Sequence, residues 1–255
     1  MFKSKVVIIT GSSTGIGAAA AVRFASEEAA GIVIHGRQEE ALKNVKAECE
    51  RAGRGKVHIC IGDITDEAVR KHMIDSTIEQ FGKLDILVNN AGIGLTGLFS
   101  TASMDDFDKV FDVNVRSVLS LTQLAIPHLI KTQGNIVNIS SSLGIKANTF
   151  APIYSSSKAA LDHFAKCLSL ELGPLGVRVN SVSPGFVAGT EIVSRQGPMA
   201  DEALKKHMDT IANIYPLRRA GTVEEIADAI AFVASESAKF VTGIILPVDG
   251  GFTKT

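Results

Sequence analysis

Tryptophan is absent from the 255-residue chain, tyrosine occurs twice and cysteine three times. Cys49, Cys60 and Cys167 are odd in number, far apart and never in a C-x-x-C arrangement. That argues against a disulfide framework and a thiolate metal site, and it fits a reducing compartment. An excess of one charge is also missing: 26 Lys and Arg face 27 Asp and Glu, for a formal net charge of −1. Without a basic block there is no electrostatic drive toward nucleic acid or an anionic membrane, so small molecules are the expected partners. Apolar runs never approach the roughly 18 residues of a membrane span. The run VVII in the opening MFKSKVVIIT stops at Thr10 and Gly11, too short for a secretory signal, and the final GFTKT carries no retention, peroxisomal or prenylation ending. The expectation is a cytoplasmic protein with no membrane span and no nucleic-acid partner. His35, His58, His72, His128, His163 and His207 make no H-x-x-x-H pair, so no metal is expected, and His163 is read as a partly buried interface residue.

What is present is alternation. KVVIIT leads into a helix from about Ile16 to Glu28, GIVIH into Glu39 to Arg51, KVHICI into Asp66 to Phe81, and LDILVNN into Met104 to Ile130. NIVNIS precedes a helix from about Tyr154 to Leu172, VRVNSVS precedes an irregular segment, and a helix from Val223 to Ala234 precedes a last strand near Gly243 to Pro247. Strands that are unbroken apolar runs are covered on both faces, which is the pattern of parallel sheets. The expected fold class is therefore α/β, a doubly wound, mostly parallel sheet with helices on both faces and right-handed crossovers. No Pro-, Gly- or Ser-rich linker divides the chain, so residues 1–255 are expected to form a single domain. The stretch 185–216 lacks clear periodicity and is the expected substrate loop.

Thr10 to Gly17, TGSSTGIG, follows the first strand and opens the first helix. Gly11, Gly15 and Gly17 permit a tight turn and a close backbone approach, and the positive helix end favours a phosphate. The alternative is a glycine-rich turn with no ligand. At the end of the second strand, in HGR, the acidic residue that receives a ribose 2′-hydroxyl is replaced by Arg37. A guanidinium there suits a 2′-phosphate, so NADP(H) is preferred over NAD(H), unless Arg37 is only a solvated surface charge. Asp63, in GDIT, is placed to accept from an adenine amino group or to cap the next helix.

Together with this glycine motif, NNAG at Asn89 to Gly92, Asn114 in DVNV, NISS near Ser141, YSSSK from Tyr154 to Lys158, and SPG at Ser183 to Gly185 occur in the order and spacing that resembles the short-chain dehydrogenase/reductase family. The resemblance spans essentially the whole chain. It implies a Rossmann-type fold, NAD(P)(H)-dependent interconversion of a carbonyl and a secondary alcohol, a homotetramer or homodimer, and a catalytic set of Asn114, Ser141, Tyr154 and Lys158. It further implies cofactor contacts from Gly11, Ser13, Gly15, Ile16, Gly17, Arg37, Asp63, Ile64, Asn90, Ala91, Gly92, Tyr154, Lys158, Pro184, Gly185, Val187 and Thr190. One departure stands out: the family's threonine five residues after the SPG proline is here Gly189, with Thr190 next to it.

The chemistry has its own logic. Tyr154 and Lys158 are four apart and share a helix face. A phenol titrates near 10 in water, and a neighbouring ammonium favours its phenolate, so Lys158 is expected to prime Tyr154 as proton donor or acceptor. Ser141 would hydrogen-bond the same substrate oxygen, and Asn114, by the resemblance, would hold a water that links Lys158 to solvent. The rival reading is a non-catalytic cofactor-binding or sensing protein that kept the fold.

Overall fold

The computed structural model describes residues 1–190, 210 and 213–255. Most of the expected substrate loop at 185–216, and His207, lies outside the described residues.

Seven strands form one sheet: β1 (Val6–Ile9), β2 (Gly31–Gly36), β3 (Lys56–Ile61), β4 (Ile86–Asn89), β5 (Asn135–Ile139), β6 (Arg178–Pro184) and β7 (Ile245–Val248). Their order is β3-β2-β1-β4-β5-β6-β7, and every pairing is parallel. The helices are α1 (Gly15–Ser26), α2 (Glu39–Ala52), α3 (Glu67–Phe81), α4 (Met104–Phe111), α5 (Ser117–Thr132), α6 (Pro152–Leu172) and α7 (Val223–Ala234). The chain is a single-domain, Rossmann-like sheet with helices on both faces.

Side chains of successive strand residues go to opposite faces, and the core divides accordingly. Val7, Ile9, Ile32, Ile34, Ile86 and Val88 pack with Phe24, Leu42 and Ile230 from α1, α2 and α7. Ile8, Val33, Leu87 and Ile136 pack with Met73, Leu121 and Leu168 from α3, α5 and α6. Central strands buried on both faces need no polar alternation, which is why they are unbroken apolar runs. The edge strand β3 differs: Lys56 and Ile61 are exposed at its ends. Polar side chains set the helix starts. Asp66 accepts from the Ala68 amide, Ser103 from the Asp106 amide, and Thr222 with Glu225 forms a capping box on α7.

The single helix expected from Met104 to Ile130 is interrupted. Between α4 and α5 the backbone makes a π turn, Asp112–Arg116, with Asn114 buried inside it. Sequence periodicity cannot separate a one-residue widening of a helix from a straight one, and such turns occur often at functional sites. The order of strands reverses between β1 and β4. A crevice therefore opens beyond their carboxyl ends, where such sheets bind ligands.

Candidate active site

The glycine turn is shaped by what surrounds it. Gly11 and Gly15 have φ of +63° and +60°, and a Cβ on Gly11 would stand 2.8 Å from the Ala91 Cα. A Cβ on Gly17 would meet the Gly11 carbonyl at 2.4 Å and the Asn90 amide at 2.5 Å. Gly17 therefore serves close helix-to-loop packing behind the turn rather than lining the cleft. Gly15 is open, with Thr190 as its nearest neighbour across the cleft at 3.8 Å from a Cβ position. No side chain caps the first turn of α1, whose N-cap is Thr14, and its first turn holds no acidic residue. Free N–H groups, a positive helix end and a Cβ-free cradle fit the pyrophosphate of a dinucleotide.

The cleft brings most of the expected cofactor residues together. Gly11, Ser13, Gly15 and Ile16 line it from the turn, Arg37, Asp63 and Ile64 from the ends of β2 and β3, and Asn90, Ala91 and Gly92 from the end of β4, with Thr190 closing it. Thr190 thus faces the cleft although Gly189 holds the usual threonine position. Its hydroxyl donates to the Val187 carbonyl at 3.1 Å. Pro184 and Val187 are buried below, and a Cβ on Gly185 would strike Tyr215 and the Asp249 backbone within 3 Å. These three shape the floor and do not line the cleft.

Sequence reasoning missed the groups that hold the cleft open. The buried Thr10 hydroxyl accepts from the Asn90 and Ala91 amides at 3.0 and 2.9 Å, and the Asn90 side chain donates back to the Thr10 and Gly11 carbonyls. His35 lines the cleft, and its Nδ1 accepts from the Gly11 amide at 3.4 Å. Burial pushes His35 down from 6.5 to about 4, only partly opposed by the Gly62 backbone, so it is neutral at pH 7. The available signal was a polar residue at the end of each of two otherwise apolar strands. Arg37 is 61% exposed at its side chain and stands 3.8 Å from Asp63, whose carboxylate is held by the Thr65 amide and hydroxyl.

The four expected catalytic residues converge above β4 and β5. Tyr154 and Lys158 lie on α6, 8% and 4% exposed, with the Lys158 Nζ 5.8 Å from the phenol ring centre. Lys158 donates to the Ile139 carbonyl at 2.8 Å. Ser141 follows β5; its hydroxyl accepts from the Leu143 amide at 3.2 Å and lies beside the Tyr154 phenol. The Asn114 amide exchanges hydrogen bonds with the Ile93 backbone and donates to the Ser157 hydroxyl. Gly92 is the gap between them: a Cβ there would sit 3.3 Å from Asn114 Oδ1 and 3.4 Å from Lys158 Nζ. The Asn114 side chain is thus spent largely on tying the loop after β4 to α6.

One electrostatic expectation is corrected. In the free protein, burial raises the Tyr154 phenol above its usual 10, and the Ser141 hydrogen bond offsets this only partly. Burial likewise pushes Lys158 down to about 8, with Asp162 opposing. Desolvation outweighs any pull of the lysine, so Tyr154 rests protonated. His163, expected to be partly buried, is exposed on the chain.

With this geometry in view, the comparisons with known proteins are decisive. The family model described as enoyl-(acyl carrier protein) reductase matches residues 11–253. The chain belongs to the short-chain dehydrogenase/reductase family. It is 35% identical over 250 residues to 3-oxoacyl-(acyl-carrier-protein) reductase FabG of Thermotoga maritima, covering 98% of each chain. It is 36% identical over 252 residues to meso-2,3-butanediol dehydrogenase of Serratia marcescens, covering 99% of this chain and 96% of the other. A crystal structure of a Caenorhabditis elegans short-chain dehydrogenase/reductase of unknown function, solved with cofactor, superposes with a TM-score of 0.92 at 36% identity, covering 100% and 97%. This short-chain dehydrogenase/reductase is accordingly a carbonyl/alcohol oxidoreductase that uses NAD(P)(H). No helix among the described residues is long and apolar enough to cross a membrane.

Proposed function

We propose that the chain is an NADP(H)-preferring reductase, or dehydrogenase in reverse, for a carbonyl or secondary alcohol of a small, moderately apolar molecule. The observation that carries the reading is the gathering of Tyr154, Ser141 and Lys158 next to Gly92, which lines the same cleft as the uncapped start of α1. A nicotinamide nucleotide bound there supplies or accepts the hydride. Tyr154, protonated at rest, donates its proton to the substrate oxygen in reduction and accepts it in oxidation. Ser141 hydrogen-bonds that same oxygen and stabilises the charge that grows on it. Lys158 supports the phenol's loss of its proton, and Asn114 fixes the loop and helix that face each other across Gly92.

Arg37 supports the NADP(H) preference, since it lines the cleft with its side chain exposed and, among the described residues, Asp63 is its one ion-pair partner. Ile145 and Phe150, exposed on the segment between Ser141 and Tyr154, and Leu98 and Phe99, on a loop tied to it by the Gly97 amide and Phe150 carbonyl, support an apolar substrate. Residues 185–216 are the proposed substrate loop of the one domain. A groove along α4, α5 and α6, lined by Phe111, Leu119, Ile126, Phe164 and Leu168, supports a homo-oligomer, a dimer or tetramer. Three free thiols support a cytoplasmic setting.

Replacing Tyr154 with Phe removes one oxygen. Turnover of a ketone panel with NADPH should fall at least about a thousandfold while the NADPH dissociation constant stays within about twofold. Near-normal turnover rules out the proton-donor role. Cofactor binding without oxidation of NADPH or NADH by any ketone, aldehyde, quinone or acyl substrate in the wild type would favour the sensing protein instead.

A further inference from the structure

The turn after β3 carries two of the cleft residues, Asp63 and Ile64, and each is held by a different device. Asp63 is held from within the turn: its carboxylate accepts from the Thr65 amide and hydroxyl at 2.9 and 2.8 Å, and its carbonyl from the Asp66 amide at 3.1 Å. Ile64 lies beyond the last rung of the strand ladder, and its carbonyl is met from outside. Arg70, near the start of α3, reaches back and donates from Nη1 to that carbonyl at 2.6 Å, while its Nε donates to the Ser120 hydroxyl of α5 at 3.1 Å. Arg70 is only 6% exposed, and among the described residues no carboxylate forms an ion pair with it. Burying a guanidinium beside neutral acceptors alone is costly, which sets this residue apart from an ordinary surface arginine. What the rigid, planar fork supplies in return is geometry, because it fixes the Ile64 carbonyl and α5 against one another.

We propose that Arg70 is a positioning residue for the adenosine half of the nucleotide: by pinning Ile64 it presets the wall of the cleft that Asp63 and Ile64 form. The proposal rests on the nucleotide reading of the cleft. In the sheet order the pyrophosphate cradle follows β1, and the groups assigned to proton transfer stand beyond β4 and β5 on one side of it. The ends of β2 and β3, on the other side, are left for the adenosine half. Arg70 does not itself line the cleft, so it acts through Ile64. Ile64 is fixed at two points, its side chain in the core and its carbonyl on Arg70, and its amide has no acceptor among the described residues. Ser120, the other anchor of the guanidinium, lines the outer groove and not the cleft.

The test titrates the cofactor-free protein with 5′-ADP, which carries the adenosine half common to NADPH and NADH. Arg70→Met keeps an extended side chain and removes the guanidinium. In that variant the ADP dissociation constant should rise about tenfold, the value of one charge-assisted hydrogen bond, and an unmoved constant overturns the proposal. NMNH, the reduced nicotinamide mononucleotide, lacks adenosine and should bind within about twofold of wild type. Equal weakening of both fragments marks a general loss of structure and overturns the assignment. Should Arg70→Met fail to fold, Ser120→Ala, which removes the second anchor from outside the cleft, should raise the ADP constant about threefold, and no change again overturns the proposal. A wild type that binds neither NADPH nor NADH overturns the nucleotide reading and this proposal with it. A wild type that binds them, with ADP affinity untouched by either substitution, overturns this proposal alone.

Discussion

Thr10→Val is the sharpest perturbation of the cleft because it changes almost no volume. The hydroxyl accepts from two amides, Asn90 at 3.0 Å and Ala91 at 2.9 Å. Valine keeps the shape and leaves the Ala91 N–H facing a methyl, while the Asn90 N–H keeps the Val88 carbonyl at 3.1 Å. A buried donor without an acceptor costs about 1–3 kcal/mol. The Ala91 amide is partly rather than fully buried, so the low end of that range applies, about 1 kcal/mol. In a domain of this size each kcal/mol moves the melting temperature by about 2–4 °C, giving a fall of about 2–4 °C. The assay is thermal unfolding of the cofactor-free protein at fixed concentration, with oligomer dissociation thus held constant. Asn90 and Ala91 also line the cleft, so the NADPH dissociation constant should rise in the same variant. Thr10→Ser, which restores the oxygen, should recover most of both losses. A valine variant that melts within about 1 °C of wild type would refute the claim that this hydroxyl pairs the loop.

Arg37→Ala should lose about tenfold or more of the NADPH-over-NADH discrimination, the value of one charge-assisted hydrogen bond; binding constants for both nucleotides measure it, and unchanged discrimination excludes Arg37 from the phosphate site. His35 gives a pH signature. Its folded value of about 4 lies below the unfolded 6.5, so the unfolded chain takes up a proton first as pH falls. Stability is complete above pH 6.5 and declines toward pH 4, by about 3 kcal/mol at about 1.4 kcal/mol per pH unit. Urea unfolding of wild type and His35→Gln at pH 7.0, 5.5 and 4.5 should show the gap between them changing by about that amount; a constant gap would sink the assignment.

The α/β fold was legible because periodicity and burial agree. Val6 to Ile9 and Ile32 to Ile34 are apolar without alternation, and both faces of those strands are covered. The helix expected from Val223 to Ala234 has those bounds, and the capping box of Thr222 and Glu225 at its start comes from the structure. The π turn at Asn114 was not legible, since it alters hydrogen-bond partners without altering which residues are apolar. The four residues proposed as catalytic stand out by motif order, and the structure brings them close together. The tie of Thr10 to Asn90 and the contact of His35 with Gly11 were hidden, because they join residues far apart in sequence through ordinary side chains. The effect of burial on Tyr154 and Lys158 was not legible for a related reason: spacing reports proximity, whereas desolvation depends on the packed structure.

These hidden contacts explain why chemistry and stability are hard to separate at the strand ends. Where a strand stops, its backbone groups lose their ladder partners and must be paired some other way. Here side chains of the site do that work: Thr10 takes the Asn90 and Ala91 amides, Asn114 pairs the Ile93 backbone, and Lys158 takes the Ile139 carbonyl. Deleting any of them strips the backbone of a partner as well as removing a functional group, so lost turnover in such variants does not by itself identify a role in proton transfer. The phenolic oxygen of Tyr154 is different, because the group beside it is the Ser141 side chain rather than main chain. Tyr154→Phe is therefore the substitution whose loss of turnover, at preserved melting temperature and cofactor affinity, is attributable to the proton alone.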